Sequence, residues 1–503
     1  MCRPEPGLKV QIFFKLGIIK KQGIQNTFVT YLGILIGFVS LLIVQPFLLS
    51  KEEIGLIRIL FSFSALVASV IPLGITSITV RYFPLFRNRE QGNYGFLGFI
   101  LLFPLVGALL IYFILNIFRQ EIIGHYIEHS KLFTDYFDYI LPFSIILGFV
   151  TVLNTYCFSL FKTIVPSLLN DICVRLGTIV IIYFYFIHWI DLRELVLLYV
   201  GIYAVQLLML GSYLFVIDTP RLQMDREFIR KQNVPQMLRF GFLLSFAGLA
   251  SLGLKYLDSI MIGQYMAMEF VGIYSIVAFI PTVIEAPLSS LDRIAYTKLS
   301  HALTHNLQNE IKEIYFKSAR YLFLIGGAIF LTINVNIADL LSFLPAGFEK
   351  GVHVVLIISI GTLINMAGGA NSSLIFNSKF YKLGGLLVML MAAMAFCLNL
   401  LLIPIFGLEG AALSTAISVT FYTISRYLII YKGFNLQPYD KVMLKILVLI
   451  LFGMLLNYLL PFTESAILNI LYRSTIILGT YLAGTYYFNI APEFHKYIPG
   501  FRK

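Results

Sequence analysis

The apolar positions of this chain fall into long runs, and short charged segments separate one run from the next. A helix rises about 1.5 Å per residue and a bilayer core is about 30 Å thick, so one crossing needs roughly 20 apolar residues. The runs have that length, which is about twice that of a membrane-barrel strand. Only helices and closed barrels satisfy their own backbone groups in hydrocarbon. The pattern therefore predicts an all-α integral membrane protein.

Run length and flanking charge predict about 14 transmembrane helices. They lie near 25–49, 54–80, 94–118, 136–161, 166–188, 193–217, 237–262, 269–291, 317–341, 351–376, 381–405, 407–431, 440–462 and 466–488. The predicted domains are a first lobe of six spans (1–217), a cytoplasmic linker (218–236), a second lobe of six spans (237–431), and two further spans with a cytoplasmic tail (432–503). In the loop Arg293–Phe316, apolar residues at helical spacing from Leu299 to Ile314 predict an amphipathic helix lying in the membrane interface.

Charge sets the orientation. The chain is 59% hydrophobic and 13% charged, with a net charge of +11. Alternating the spans from a cytoplasmic N-terminus places nearly all loop Lys and Arg on the cytoplasmic side, and this bias stays consistent to the end of the chain. Both termini are therefore predicted to be cytoplasmic. The positive net charge is explained by the basic cytoplasmic loops of a membrane protein, so no nucleic-acid partner is expected.

A weak internal repeat relates the two halves. Residues 49–56 read Leu-Ser-Lys-Glu-Glu-Ile-Gly-Leu, and residues 266–273 read Met-Ala-Met-Glu-Phe-Val-Gly-Ile. In each copy an acidic residue precedes a glycine by three positions at the start of an even-numbered span, so both copies share one orientation. Parallel repeats of this kind occur in transporters whose site lies between two halves. Chance similarity between two apolar hairpins is the alternative.

Charged residues at membrane depth are the candidate functional groups, because a charge at the centre of a span costs about 2.5–3.5 kcal/mol unless it faces protein or water. They are Arg58, Asp171, Arg175, Lys255, Asp258, Glu285, Arg426 and Arg473. The spacings i,i+4 (Asp171/Arg175) and i,i+3 (Lys255/Asp258) allow structural ion pairs as well as functional roles. Arg58 could instead reach the outer interface, and Glu285 between Pro281 and Pro287 fits a structural or an ion-coupling group. Arg426 and Arg473 are expected to be boundary or packing residues.

Enzymatic chemistry has little support in the sequence. The four cysteines form no CxxC motif and no Cys/His cluster, so no metal site or cofactor is expected. Without a Walker motif, an ATP-driven pump would need a separate ATPase. A membrane polymerase or ligase would need a substantial outer loop, and the one candidate, Arg119–Asp135 with His125, Glu128 and His129, reads better as solvated surface charge. The chain is therefore predicted not to be an enzyme.

Three segments resemble the polysaccharide-unit flippases of the multidrug/oligosaccharidyl-lipid/polysaccharide (MOP) exporter superfamily. They are the hairpin with Pro46, Glu53 and Gly55, the segment 256–263 followed by 271–275, and, most clearly, the segment 399–412. The resemblance implies two six-helix lobes around a central cavity, with two extra C-terminal helices. It implies that the chain flips an undecaprenyl-diphosphate-linked oligosaccharide from the cytoplasmic to the periplasmic leaflet by alternating access, for O-antigen lipopolysaccharide, capsule or a similar polymer.

The same resemblance sets the expected surroundings. The chain would be a monomer in a bacterial inner (plasma) membrane, among membrane lipids, with a polysaccharide polymerase and glycosyltransferases as partners. Arg58 matches the placement of a cavity arginine in the second span, and Lys255 is a further candidate. Lipid II flippases of the superfamily carry cations in the first span, and this chain has none between Lys21 and Lys51.

An anionic lipid substrate also fits the charges themselves. A diphosphate needs cationic partners, of which arginine can bind it bidentately, so Arg58, Arg175 and Lys255 are the predicted substrate-binding residues. Asp258 and Glu285 are the candidates for coupling to H⁺ or Na⁺. A drug/cation antiporter of the same superfamily, which would need an acidic cavity, and a lipid II flippase are the alternatives.

Overall fold

The structure is a computed structural model that describes residues 25, 28–88, 90–218, 222–225 and 234–490. These residues form helices joined by turns, and no β-strand occurs among them. Within these described ranges, eleven helices are long and apolar enough to cross a membrane, or twelve if a bent pair, Met268–Val277 with Thr282–Thr304, counts as one span. The prediction of an all-α, multi-pass membrane protein is confirmed, but the count of fourteen is not. The other two predicted spans are helical, and both contain charged residues.

Contacts divide the chain into two units, Met1–Leu252 and Gly253–Lys503. The helices that begin in the first unit are α1 (Phe28–Leu48), α2 (Lys51–Ala68), α3 (Ile75–Phe86), α4 (Phe96–Ile117), α5 (Arg119–Tyr126), α6 (Lys131–Asp135), α7 (Ile140–Ser159), α8 (Ile164–Phe186), α9 (Leu192–Ile217) and α10 (Val234–Tyr265). The second unit adds α11 (Met268–Val277), α12 (Thr282–Thr304), α13 (Gln308–Val335), α14 (Ile337–Ser342), α15 (Val352–Ala367), α16 (Asn371–Phe376), α17 (Tyr381–Phe406), α18 (Leu408–Phe434), α19 (Lys441–Leu459) and α20 (Ala466–Tyr487).

The division between the units falls inside α10, because the first part of this helix packs on α3. A Cβ at Gly241 would lie 2.7 Å from the Ile78 side chain and 2.8 Å from the carbonyl oxygen of Gly74. Gly74 itself has φ of +81°, a conformation that favours glycine. Much of the predicted linker 218–236 lies outside the described residues, and the predicted lobe boundaries stay predictions.

Both units contain a broken helix at the position of the sequence repeat. α2 ends at Ala68 and α3 resumes at Ile75, while α11 ends at Val277 and α12 resumes at Thr282. The acidic residue of the repeat is the second residue of a helix in both copies, Glu52 in α2 and Glu269 in α11. Each break contains a proline, which has no N–H to donate to the preceding turn.

The second unit corrects the prediction of an interfacial helix in the loop Arg293–Phe316. That segment is the end of α12 and the start of α13, separated by a turn in which Asn306 has φ of +53°. Leu299 and Ile311 are fully buried in a core cluster together with Tyr315 and Ile375. The regularly spaced apolar residues therefore lie on helix faces that pack against protein. Periodicity alone cannot distinguish such a face from one that lies on lipid.

Candidate functional site

The predicted cations of the first unit lie in two different surroundings. Arg58, in α2, is partly buried between the buried residues Ile57 and Ile59. Arg175, in α8, donates a hydrogen bond to the carbonyl oxygen of Gly33 in α1. The structure does not test whether either residue binds a substrate, so both roles stay predictions.

Asp171 and Arg175 lie on the face of α8 that packs on α1. A Cβ at Gly33 would lie 2.6 Å from Cβ of Asp171, and one at Gly37 would lie 2.1 Å from Nη1 of Arg175. Gly33 and Gly37 are four residues apart, the small-residue spacing that lets membrane helices approach closely. Both residues of the i,i+4 pair therefore contribute to a contact between two helices.

Asp258 lies in a polar cluster built by four helices of the second unit. Its carboxylate accepts hydrogen bonds from the Tyr274 hydroxyl of α11 at 2.6 Å, the Asn399 amide of α17 at 2.7 Å and the Thr415 hydroxyl of α18 at 2.7 Å. Asn399 is fully buried, and its Oδ1 atom has no hydrogen-bond partner among the described residues. Sequence spacing could not show this cluster, because the partners from α17 and α18 lie 141 and 157 residues away along the chain.

Lys255 does not pair with Asp258. The lysine is exposed, and its Nζ lies 5.3 Å from the centroid of the neighbouring Tyr256 ring. Within the described part of the chain, no ion pair joins Lys255 to Asp258 although they are three residues apart on one helix. The carboxylate accepts from its three neutral donors, and the lysine side chain is exposed.

Glu285 belongs to a hydrogen-bonded chain that ends at a buried arginine. Asn365 of α15 donates to Oε1 of Glu285 at 3.2 Å, and Nη2 of Arg426 donates to Oδ1 of Asn365 at 2.7 Å. Arg426 is 5% exposed, and its guanidinium lies 3.9 Å from the centroid of the Tyr422 ring. Arg426 is therefore packed inside the unit as predicted, but it also positions a group of the site, which the sequence did not indicate.

Asp292 is a site residue that the sequence analysis missed. Ser373 of α16 donates a hydrogen bond to Oδ1 of Asp292 at 2.9 Å. The predicted span ended at residue 291, whereas α12 continues to Thr304, so Asp292 lies one turn beyond Ser289 on the same helix. Its distance of seven residues from Glu285, two helical turns, is the sequence signal that could have found it.

Two cavities lie along α12. The first, of about 320 Å³, is lined by Thr282, Glu285, Ala286, Leu288, Ser289 and Asp292. The second, of about 370 Å³, is lined by Tyr296, Thr297, Ser300, His301, Thr304 and His305. No cluster of three or more metal-ligating His, Cys, Asp or Glu side chains occurs among the residues that the structure describes.

Arg473 is a structural residue of the C-terminal helices. Its side chain is fully buried in α20, 3.4 Å from the centroid of the Phe462 ring, and it donates to the carbonyl oxygen of Leu460 at 2.9 Å. These contacts fasten α20 to the segment that leaves α19, which agrees with the predicted packing role.

The chain was compared with known proteins at the level of sequence and of structure. No family model matches the sequence. An uncharacterized membrane protein of Methanocaldococcus jannaschii, MJ1068, is 21% identical over 469 residues, which cover 87% of this chain and 89% of that protein.

Solved structures of transporters share the fold. A lipid II flippase, MurJ, in an inward closed conformation has a TM-score of 0.72 at 15% identity, over 92% of this chain and 98% of that one. An inward-facing multidrug resistance MATE family transporter of the MOP superfamily has a TM-score of 0.61 at 14% identity, over 81% and 94%. The MATE multidrug transporter DinF-BH has a TM-score of 0.53 at 15% identity, over 84% and 97%. The chain therefore shares the fold of these transporters.

Proposed function

We propose that this protein is a flippase that moves an undecaprenyl-diphosphate-linked oligosaccharide from the cytoplasmic to the periplasmic leaflet by alternating access. The observation that carries the proposal is the likeness to a lipid II flippase over 92% of this chain. The protein would act in a bacterial inner membrane, with both termini cytoplasmic, to supply surface polysaccharide such as O-antigen or capsule.

The charge of the substrate supports an anionic lipid as cargo. A diphosphate cannot cross hydrocarbon without cationic partners, and the candidates are the partly buried Arg58 and the exposed Lys255. Arg175 is the third candidate, although its guanidinium also contacts α1. An anion that leaves a negative cytoplasm gains about 2.3 kcal/mol per charge for every 100 mV, so the membrane potential favours outward movement.

Asp258 is the proposed coupling residue. The carboxylate, the Thr415 hydroxyl and the unpartnered Asn399 oxygen supply oxygen atoms of the kind that hard cations bind. A buried polar atom without a partner costs about 1–3 kcal/mol, and a bound Na⁺ would remove that cost at Asn399. We therefore favour Na⁺ over H⁺ at this site, with Glu285 as the second candidate for coupling.

A drug/cation antiporter is the competing function. Glu285 and Asp292 present two carboxylates to the first cavity of α12, and carboxylates attract cationic drugs. The buried guanidinium of Arg426 offsets part of that charge, which weakens this alternative. A lipid II flippase is the other alternative; its cargo has the same undecaprenyl diphosphate and a different head group.

Surface polysaccharide in living cells tests the cationic residues. We expect Arg58→Ala and Lys255→Ala each to abolish the polymer without lowering the amount of protein in the membrane, because the diphosphate loses a partner. Arg119→Ala and Lys350→Ala are the matched controls, since these side chains are 44% and 55% exposed and pair with surface acids. Normal polymer in both Arg58→Ala and Lys255→Ala would refute the proposed role of these cations.

A further inference from the structure

One face of α12 carries a continuous row of polar side chains. Residues 282, 285, 289, 292, 296 and 300 are Thr, Glu, Ser, Asp, Tyr and Ser, spaced three or four positions apart, so they lie on one side of the helix. Together they line both cavities of α12. At about 1.5 Å per residue the row is roughly 27 Å long. On the same helix, Ile284, Leu299 and Ala302 are fully buried, whereas Val283 and Ile294 are 41% and 62% exposed.

The first cavity presents hydrogen-bond acceptors. The Thr282 hydroxyl already donates its proton to the carbonyl oxygen of Phe279 at 2.5 Å, and the Ser289 hydroxyl donates to that of Ala286 at 2.9 Å. Each hydroxyl oxygen therefore has only lone pairs left for a ligand. Glu285 and Asp292 are acceptors as well, when ionised. A ligand that complements this surface must be rich in donors.

Among the described residues, each carboxylate accepts a side-chain hydrogen bond on one oxygen only. Asn365 donates to Oε1 of Glu285 and Ser373 donates to Oδ1 of Asp292. The donors Asn365 and Ser373 belong to helices other than α12. They fix the orientation of the two carboxylates that line the cavity. A carboxylate positioned in this way is suited to accept hydrogen bonds from neighbouring hydroxyl groups of a sugar ring.

We infer that this face of α12 is a saccharide-binding track for the neutral glycan part of the cargo, separate from the site of the diphosphate. This inference rests on the proposed flippase function. The acceptors would repel a diphosphate, and the row is far longer than a single ammonium group requires. Sugar hydroxyl groups supply the many donors that the row needs, and the Tyr296 ring, whose side chain is 50% exposed, can stack on a sugar face.

Binding of defined lipids in nanodiscs tests the track. One probe is undecaprenyl diphosphate without sugar, and the other is the same lipid carrying a neutral trisaccharide. We expect wild type to bind the glycosylated probe more tightly. In Glu285→Gln combined with Asp292→Asn, we expect the affinity for the glycosylated probe to fall by about tenfold or more, because hydrogen bonds to charged acceptors are lost, with the bare lipid unaffected.

A pair of neighbouring serines gives a milder test with a matched control. Ser289→Ala removes a cavity hydroxyl, whereas Ser290→Ala changes the same residue type one position along, on an exposed part of the helix outside the described cavities. We expect Ser289→Ala to weaken binding of the glycosylated probe a few-fold, and Ser290→Ala to have no effect.

The possible outcomes separate the two proposals. Equal loss of both probes in the acidic variant, or unchanged binding of the glycosylated probe in both the acidic and the Ser289 variants, would overturn the track while leaving the flippase proposal standing. A cationic dye such as ethidium that binds wild type and is lost in the acidic variant would also overturn it. Failure of wild type to bind either lipid would instead count against the flippase proposal itself.

Discussion

Asp258 is the residue at which coupling can be tested most directly, since all three of its recorded partners are neutral donors. Asp258→Asn keeps the size of the side chain and removes its charge. We expect lipid flipping in proteoliposomes to lose its response to an imposed Na⁺ gradient, because the cation loses its counter-charge. Glu269→Gln is the control, as that carboxylate is 3.8 Å from an exposed lysine and outside the cluster. Undiminished stimulation by sodium in Asp258→Asn would contradict the coupling role.

Asp440 provides a pH-dependent test of stability outside the membrane spans. It caps α19 by accepting from the backbone N–H groups of Val442 and Met443 at 3.0 Å, and it accepts from Arg320 at 2.7 Å. Burial acts to raise the pKa of its carboxyl, but these hydrogen bonds outweigh it and hold the pKa below the usual 3.8. Because the folded-state pKa is the lower one, this stabilisation is complete well above pH 4 and is lost as the pH falls through the folded pKa.

We therefore expect Asp440→Ala to lower the free energy of unfolding by about 1 kcal/mol at neutral pH, the usual loss for a helix cap. The difference in Tm from wild type in detergent should shrink as the pH falls below about 4. Asp138→Ala, which removes an ion pair whose side chains are 44% and 70% exposed, should change Tm very little. A difference that stays constant down to pH 3 would show that ionisation of Asp440 does not contribute.

Individual site residues were only partly predictable from sequence. Asp258 and Glu285 could be singled out because a charge inside a span needs a special environment. Their hydrogen-bond partners could not be predicted, since Asn399, Thr415 and Asn365 are neutral residues on helices that are distant along the chain. Helical spacing suggested that Lys255 could pair with Asp258, but three neutral hydrogen bonds hold the carboxylate instead.

At the scale of elements, the contact between α1 and α8 depends on glycine. A Cβ at Gly33 would meet Cβ of Asp171 at 2.6 Å and its backbone oxygen at 2.9 Å, neither of which can move away easily. We expect Gly33→Ala to destabilise the protein by about 1–3 kcal/mol, as overpacking does. Gly37→Ala should be milder, because it meets the flexible end of Arg175.

Gly211→Ala in α9 is the matched control, with nothing within 4 Å of an added Cβ. A helical glycine in open space costs about 0.5–1 kcal/mol relative to alanine, so this variant should be as stable as wild type or more so. Thermal unfolding in detergent gives the order of stability. A Gly33→Ala variant as stable as Gly211→Ala would show that the two helices do not pack as described.

The existence of helices was more predictable than their ends. Long apolar runs locate each helix, because few residues of other kinds fit a bilayer. The predicted end of α12 was wrong. The chain becomes polar at residue 292, but the helix continues to Thr304 and packs against protein there. Because of that error, the sequence analysis missed Asp292 and the C-terminal part of the polar row on α12.

At the scale of the whole molecule, the fold could be predicted from three segments that resemble a known transporter superfamily, with a weak internal repeat beside them. The repeat around Glu52 and Glu269 marks corresponding helix starts in the two units, and both helices break soon afterwards. The number of crossings was harder to predict, since α2 carries four charges (Lys51, Glu52, Glu53 and Arg58) that a simple criterion of apolarity rejects. The substrate depends on a few polar groups, so overall hydrophobicity cannot identify it.

Flipping in proteoliposomes tests the central claim most directly. The protein is reconstituted with an undecaprenyl-diphosphate-linked oligosaccharide that carries a fluorophore on its sugar, and dithionite quenches the molecules that face outward. We predict that wild type, under a membrane potential, exposes the inner-leaflet pool to dithionite, while the combined Arg58→Ala and Lys255→Ala variant leaves that pool protected. If wild-type and protein-free vesicles protect the same fraction of the labelled lipid, this protein is not a flippase for such a cargo.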